Sequence, residues 1–259
     1  MYDDRAYFKH LYEKSAGEFS FHKLHVPEIS SWQENFRSRL KQILGLSLIE
    51  SMFSGYHPEA YMVNREEKSG YIQERWVIMV EPLVPLPFYL LQPVGLTGKL
   101  PLVLTPHGHN QPGLYVCDFI DEHEKQLVLE GDRDIAIQAV QQGYLVIAPT
   151  TRGFGDTRTI EDRKAGKLSS CRDLLVQDLL VGRTPIGDRV YDIARLIDWA
   201  VENREVDERC IAITGNSGGG TTSLFAAACD TRIQVAVPAS YFCTFAGSIG
   251  SIFHCECNY

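Results

Sequence analysis

The sequence of 259 residues lacks features that would assign it to several special classes of protein. No apolar run is long enough to span a bilayer, and the N-terminus has no basic segment followed by an apolar stretch, so we expect neither a membrane span nor a signal peptide. Basic residues are not in excess, because the chain has 25 Lys and Arg against 33 Asp and Glu, which gives a net charge of −8. Nucleic acid and membranes are therefore not expected partners.

Cysteine is present, but not in a pattern that indicates disulfides. Seven cysteines, an odd number, are scattered at positions 117, 171, 210, 229, 243, 255 and 257. This usage is typical of reduced thiols and predicts a cytoplasmic location. Cys255 and Cys257 lie beside His254, but such alternating neighbours do not readily close a tetrahedral metal site without ligands from elsewhere in the chain. The sequence alone therefore predicts no metal.

Motifs for phosphate-bearing cofactors are also missing. There is no Walker loop, and the three glycines at 218–220 follow a serine instead of forming the dinucleotide pattern G-x-G-x-x-G. We therefore expect no cofactor.

The composition that is present is that of an ordinary globular protein, with 44% apolar and 22% charged residues. The length suits one large α/β domain or two small ones. Trp32, Phe36, Leu40 and Leu44 recur at helical spacing and predict helix before residue 50. We therefore divide the chain into an N-terminal helical extension over residues 1–70 and an α/β core over residues 71–259.

The core alternates predicted strands and helices. Residues 71–80 and 86–92 are predicted as a hairpin at a sheet edge, because prolines punctuate their join. From residue 100 onwards short apolar strands are separated by helices, which indicates a mainly parallel sheet with helices on both faces. The predicted strands are 102–104, 144–149, 210–214 and 233–237, and the predicted helices are 131–142, 174–181, 188–203 and 218–229.

The most informative segment is Gly215-Asn216-Ser217-Gly218-Gly219. An apolar strand pattern precedes it and a helix of small residues follows, so Ser217 is predicted at the apex of a sharp strand-to-helix turn, the pattern of a nucleophile elbow. At such a turn a serine hydroxyl projects toward a base, beside a pocket that stabilises negative oxygen. The glycines remove side chains where the strand and the helix would collide. The backbone N–H of Gly218 is predicted to face the developing oxyanion.

Three segments together resemble the α/β-hydrolase superfamily. They are His107-Gly108-His109-Asn110 after one predicted strand, Thr151-Arg152-Gly153-Phe154-Gly155-Asp156 after the next, and the serine pentapeptide after a third. Residues 187–199 and 206–209 also match, so the resemblance covers roughly residues 70–240 in the right order. The sequence is most similar to acetyl xylan esterases and cephalosporin deacetylases, together with dienelactone-hydrolase-related enzymes. The resemblance implies the α/β-hydrolase fold.

The resemblance also implies roles for individual residues. Ser217 corresponds to the nucleophile, and the backbone N–H groups of Gly218 and His109 correspond to the two donors of the oxyanion hole. His107 then shapes its loop instead of acting as the catalytic base. We expect Arg152 to be tied to a carboxylate as part of the scaffold.

The chain departs from this resemblance after Ser217. A triad in the order Ser, then Asp or Glu, then His needs two further residues, but the remaining chain offers only Asp230, Glu256 and His254. Asp230 is predicted to point away, and His254 is a weak candidate close to a terminus expected to be mobile. We therefore expect the last strands of the fold to be missing, and the catalytic acid and histidine to lie beyond Tyr259.

Two functions are compatible with these observations. The first is a serine carboxylic-ester hydrolase that acts by an acyl-enzyme on small acyl esters, with acetylated carbohydrates implied by the resemblance. The alternative is a catalytically incomplete fragment or pseudoenzyme with a binding or structural role. Three explanations of the short fold stay open: a fragment of a longer enzyme, a homo-oligomer in which another subunit completes the fold, and a truncated relative. The expected partner is a small-molecule ester.

Overall fold

The computed structural model describes residues 2–15, 17, 19–21, 28–110, 113–118, 121–250, 252 and 254–258. The strands are β1 (Ala60–Lys68), β2 (Tyr71–Glu81), β3 (Val84–Pro93), β4 (Leu100–Leu104), β5 (Leu145–Pro149), β6 (Val206–Asn216) and β7 (Val235–Ala239). The helices are α1 (Asp4–Ser15), α2 (Ile29–Ile43), α3 (Leu46–Met52), α4 (Glu122–Glu130), α5 (Ile135–Gln141), α6 (Ile160–Lys164), α7 (Cys171–Leu180), α8 (Pro185–Asn203) and α9 (Gly218–Cys229). The strands form one sheet in the order β1-β2-β3-β5-β4-β6-β7.

Strands β4 to β7 form the parallel half of the sheet, with pairs β5–β4, β4–β6 and β6–β7. Helices α8 and α9 pack with one face of it, where Leu102, Ile147 and Ile211 are fully buried. Helix α5 covers the other face, where Val146 belongs to a second apolar cluster. Strands buried on both faces are what short, continuously apolar segments predict. The predicted α/β sheet with helices on both faces is confirmed.

The antiparallel half of the sheet contains the predicted hairpin. Strands β2 and β3 pair antiparallel, and β3 pairs antiparallel with β5, which joins the two halves. Strand β1 extends this half and falls inside residues 1–70, which the sequence analysis assigned to a helical extension. Eight of its nine residues are exposed and most of them are polar, so it carries no apolar alternation to reveal a strand.

Helix boundaries differ locally from the predicted ones. The predicted helix 131–142 is shorter, because α4 ends at Glu130 and α5 begins only at Ile135. Gly143 follows α5 with a φ of +89°, in the left-handed conformation expected of a residue that ends a helix. In the described part of the chain, no helix combines the length and the apolar character needed to cross a membrane.

Strand β7 lies at the edge of the described sheet, where an unpaired apolar edge was predicted. Within the described residues it pairs with β6 alone. Val235 and Val237 are 55% and 56% exposed. A strand edge of this kind is a surface that proteins normally cover with another segment.

Candidate active site at the carboxyl ends of strands β4, β5 and β6

Three loops meet at the carboxyl ends of neighbouring strands. Residues 107–110 follow β4, residues 151–156 follow β5, and Ser217 follows β6. Because β5, β4 and β6 are adjacent and parallel, the three loops emerge at one edge of the sheet. In open α/β sheets this edge is where ligands bind.

Ser217 stands at the apex of the turn between β6 and α9, which we call the serine turn (residues 215–219). Its φ and ψ are 57° and −120°, a conformation that costs a non-glycine residue about 1–3 kcal/mol and persists only where the surroundings enforce it. The N–H of Ser217 donates to the carbonyl of Ala239 (3.0 Å), and the N–H of Asn216 donates to the hydroxyl of buried Tyr115 (3.1 Å). These bonds hold the strained serine, whose side chain is exposed.

Glycines allow the backbones around the serine turn to touch. A Cβ on Gly215 would overlap the carbonyl oxygen of Pro106 and lie 2.8 Å from the carbonyl carbon of Gly219, which is the collision that the sequence predicted. A Cβ on Gly108 would lie 2.6 Å from the carbonyl oxygen of Asn216. The loop after β4 therefore packs backbone to backbone against the serine turn, with no room for side chains.

The packing of these loops leaves two backbone donors available. A Cβ on Gly108 would lie 3.0 Å from the nitrogen of Gly218 and 3.1 Å from the Cβ of Ser217, so the loop that ends in His109 borders the serine directly. Among the described residues, neither the N–H of Gly218 nor that of His109 donates to a protein acceptor. Gly218 opens a helix of 12 residues, whose N-terminal dipole favours negative charge. Such donors can stabilise an oxyanion formed at Ser217.

His107 is a buried structural histidine. Its Nε2 accepts a hydrogen bond from the N–H of Thr151 (2.9 Å), and its Nδ1 lies 2.8 Å from the carbonyl oxygen of Gly108, to which it donates. Burial lowers the pKa of His107 to about 4, so the ring is neutral at physiological pH. With both nitrogens engaged by backbone, His107 ties the loops after β4 and β5 together, in agreement with the role expected from the sequence.

His109 lies in a different environment on the same loop. Its side chain is exposed on one side, and its Nδ1 lies 3.7 Å from the position that a Cβ on Gly218 would take. Its Nε2 faces two sulfur atoms, Cys257 Sγ at 3.3 Å and Cys171 Sγ at 3.9 Å. Interactions with Cys171 and then Cys257 raise the pKa of His109 to about 10. The neighbouring thiols of Cys171 and Cys255 lower the pKa of Cys257.

Four metal-ligating side chains come together here, and we call them the Cys/His cluster: His109, Cys171, Cys255 and Cys257. The Nε2 of His109 and the three sulfur atoms all lie within 4.8 Å of one another. The sequence analysis predicted no metal because Cys255 and Cys257 needed further ligands from elsewhere. The structure brings such groups to the pair, His109 from the loop after β4 and Cys171 from the start of α7. No local sequence signal links these positions, because the contacts span 62 to 148 residues.

The C-terminal segment packs against the helices around the site. A short 3-10 helix, Glu256–Asn258, contacts α7, α8 and α9, and Cys257 is fully buried. The side-chain oxygen of Asn258 accepts a hydrogen bond from the hydroxyl of Thr221 (2.8 Å), one turn after Ser217. The sequence predicts a mobile C-terminus and carries no local signal for this packing.

The expected catalytic acid and base are not brought to Ser217 by the described residues. Within that part of the chain, no histidine or carboxylate hydrogen-bonds the hydroxyl of Ser217. The Nε2 of His254 is buried without a hydrogen-bond partner among the described residues. Asp230 follows α9 at the far end from the serine turn and pairs with Arg232 (2.6 Å). The roles of His254 and of residues beyond Tyr259 stay predictions.

Arg152 is part of a closed ion-pair network beneath the site. Its guanidinium contacts Glu81, Asp188 (3.0 Å) and Asp192 (2.7 and 2.8 Å), and Arg183 also binds Glu81 and Asp188. Burial raises the pKa of Asp192 to about 6, although Arg152 acts in the opposite direction. The predicted scaffold role of Arg152 agrees with this geometry.

A groove of about 550 Å³ opens at the opposite end of the sheet. Lys99 and Leu100 at the start of β4 and Glu205 and Val206 at the start of β6 contribute to its wall. Because α/β sheets bind ligands at the carboxyl ends of their strands, we place the candidate active site at Ser217 and not in this groove.

Comparison with known proteins agrees with this architecture. A Bacillus subtilis (strain 168) protein with the name "Putative hydrolase YtaP" is 28% identical over 176 residues, which cover 66% of this chain and 54% of that protein. The structure of a "putative acetyl xylan esterase" from Bacteroides fragilis NCTC 9343 superposes with a TM-score of 0.73 at 18% identity, covering 90% of this chain and 59% of that one. An acetyl xylan esterase from Paenibacillus sp. R4 gives a TM-score of 0.53 at 20% identity, covering 76% and 58%.

The chain spans between one half and three fifths of the length of these three proteins. The two structures share its fold. A family model with the description "Abhydrolase family" matches residues 5–248, almost the whole chain. The chain therefore belongs to the Abhydrolase family.

Proposed function

We propose that this chain supplies the nucleophile and the oxyanion hole of a serine esterase. The observation that carries the proposal is the serine turn, a nucleophile elbow in which Ser217 has a positive φ and an exposed side chain. Hydrogen bonds to Ala239 and Tyr115 hold that conformation. Strain enforced in this way is common at catalytic residues.

The proposed reaction has two steps. The oxygen of Ser217 attacks the ester carbonyl, its proton passes to a histidine, and the alcohol leaves with a proton as the acyl-enzyme forms. Water then attacks the acyl-enzyme, which releases the carboxylic acid and restores the serine. The N–H groups of Gly218 and His109 donate to the oxyanion in both steps, where one such donor is worth about 10²–10³ in kcat.

The substrate class follows from the same proposal. Small acyl esters, with acetylated carbohydrates as the leading candidates, agree with the acetyl xylan esterases among the structural neighbours. Under this proposal the catalytic acid and histidine would lie beyond Tyr259, and His254 would be the alternative base within the chain. The cytoplasmic location, homo-oligomer formation and the lack of nucleic-acid and membrane partners stay predictions from the sequence.

The test is hydrolysis of p-nitrophenyl acetate by purified residues 1–259, by the same chain extended downstream of Tyr259, and by Ser217→Ala in each. Where the wild-type chain is active, we expect Ser217→Ala to lower turnover by about 10³-fold or more, because the nucleophile is removed. Ser51→Ala is the matched control, since Ser51 is an exposed serine on α3.

Each outcome decides one part of the proposal. Ser217-dependent turnover by residues 1–259 that disappears in His254→Gln assigns the base to His254. Ser217-dependent turnover in the extended chain alone places the base beyond Tyr259. Hydrolysis that survives Ser217→Ala, or no turnover in either chain, would overturn the esterase proposal.

A further inference from the structure

We infer that the Cys/His cluster of His109, Cys171, Cys255 and Cys257 is a structural zinc site that fastens the C-terminal segment to the loop bordering Ser217. The cluster joins three distant parts of the chain: the loop after β4, the start of α7, and residues 255–257. This inference is independent of the proposed esterase activity, because it concerns metal binding by other side chains.

The spacing of the four atoms suits one tetrahedral ion. A zinc ion with bonds of about 2.3 Å to sulfur and about 2.0–2.1 Å to nitrogen separates its ligand atoms by about 3.5–3.8 Å. In the cluster, His109 Nε2 lies 3.3 Å from Cys257 Sγ and 3.9 Å from Cys171 Sγ, and no pair of ligand atoms exceeds 4.8 Å. Small side-chain rotations bring these atoms to the tetrahedral spacing.

The chemistry of the four ligand atoms indicates which metal the site would bind. Three thiolates and one imidazole are soft ligands that favour zinc over magnesium or calcium, which prefer oxygen. Four protein ligands fill a tetrahedral shell and leave no position for water, which is the arrangement of structural zinc sites. Cys171 and Cys257 are buried, and the ring of buried Phe154 packs with them, so this side of the cluster is shielded from water, while His109 is exposed and Cys255 is half-buried.

A buried arginine beside the cluster supplies a second, independent observation. Arg189 is 3% exposed, it has no carboxylate partner among the described residues, and its Nε has no hydrogen-bond acceptor there. Its Nη1 donates to the carbonyl oxygen of Cys257 (3.3 Å). A buried cation needs a counter-charge. Zinc with three thiolates carries a net charge of −1 and would supply that charge next to Arg189.

The site would also orient the loop that borders the serine turn. Metal binding at Nε2 of His109 leaves the proton on Nδ1, and this nitrogen faces Gly218. The same residue contributes the backbone N–H of the proposed oxyanion hole. Zinc would thus fix the position of that loop without touching a substrate.

The experiment is a titration of the reduced, metal-free chain with zinc alone and with cobalt(II) alone. We expect about one zinc per chain by elemental analysis after dialysis, and cobalt(II) spectra with thiolate charge-transfer and tetrahedral d–d bands. Cys257→Ser and Cys171→Ser are expected to lower zinc affinity by at least about 100-fold. Cys210→Ser and Cys243→Ser are the matched controls, because both cysteines are exposed and lie outside the cluster.

The outcomes separate metal binding from thiol chemistry. A wild-type chain that retains no zinc and gives no thiolate–cobalt bands would overturn the inference, whatever the variants do. The inference would also be overturned if two cysteines of the cluster form a disulfide and the reduced chain binds no zinc. Circular dichroism of each metal-free variant shows whether a lower zinc affinity comes from the missing ligand or from loss of the fold. If both cluster variants fold and still retain zinc, the proposed site is wrong.

Discussion

Two buried arginines in contact with each other differ in what neutralises them. Arg152 is surrounded by three carboxylates, those of Glu81, Asp188 and Asp192. Arg189 donates to the carbonyl oxygens of Arg152 and Cys257, and the described residues place no carboxylate within ion-pair distance of it. One arginine therefore belongs to a closed network, and the other lies beside a group of thiols.

The comparison shows how a scaffold can be distinguished from a binding site. Where a buried cation is bound directly by carboxylates, as at Arg152, the ion pairs stabilise the scaffold without a ligand. Where a buried cation faces thiols and no carboxylate, as at Arg189, a metal ion that binds those thiols as thiolates would complete the charge balance.

The largest expected effect comes from opening the closed network. Arg152→Gln leaves Asp192 buried without a cation and leaves Glu81 and Asp188 with Arg183 alone, so we expect the free energy of unfolding to fall by about 3–5 kcal/mol in urea denaturation. Arg209→Gln is the control, because the Arg209 side chain is 89% exposed and its pair with Asp207 is screened by water. The control should change stability by less than about 0.5 kcal/mol. Equal losses in the two variants would contradict a scaffold role for Arg152.

A smaller effect is expected at the second arginine. Arg189→Gln removes the cation beside the zinc–thiolate centre, and we expect zinc affinity to fall about tenfold, or 1.4 kcal/mol, in competition with a chromophoric chelator. Arg172→Gln removes a charge from an exposed position on α7, where solvent screens it, and should change affinity less than about twofold. An unchanged affinity in Arg189→Gln would show that its charge does not serve the cluster.

The smallest effect concerns Asp178, a buried carboxylate with one oxygen that lacks a partner among the described residues. Burial and then the charge of Asp188 raise its pKa to about 7, although Arg183 acts to lower it. Between the unfolded pKa of about 4 and pH 7, the folded chain holds a proton that the unfolded chain has lost, so stability falls as the pH rises through this window.

Asp178→Asn removes that dependence. We expect the variant to be more stable than wild type by about 1 kcal/mol at pH 8 and nearly equal to it below pH 4, measured by chemical denaturation across the range. Asp173→Asn on the same helix is the control and should show no such difference. A constant offset at all pH values would mean that the effect is packing and not ionisation.

The sequence predicted the parts of the structure that depend on local pattern. The apolar segments at 102–104, 144–149 and 210–214 became β4, β5 and β6, because short strands buried on both faces need continuous apolar residues. The glycines of the serine turn predicted its close contacts. Strand β1 was missed because it is an exposed strand of mostly polar residues, without the alternation that marks a half-buried strand.

The parts of the site that depend on distant contacts could not be predicted. Cys171 and His109 are separated from Cys257 by 86 and 148 residues, and no periodicity records that the fold brings them together. The same holds for Glu81 and Arg152, which come from different halves of the sheet. Tyr115, which supports Asn216, lies in a short 3-10 helix, Leu114–Val116, that carries no motif.

The bond between the N–H of Ser217 and the carbonyl of Ala239 joins the strained serine to the last residue of an edge strand. Edge strands open more easily than central ones, because one row of their backbone groups has no neighbour. Each opening of β7 would remove one of the two hydrogen bonds that hold Ser217 at a positive φ. A segment that pairs with the edge of β7 left open by the described residues would therefore hold the serine turn more firmly.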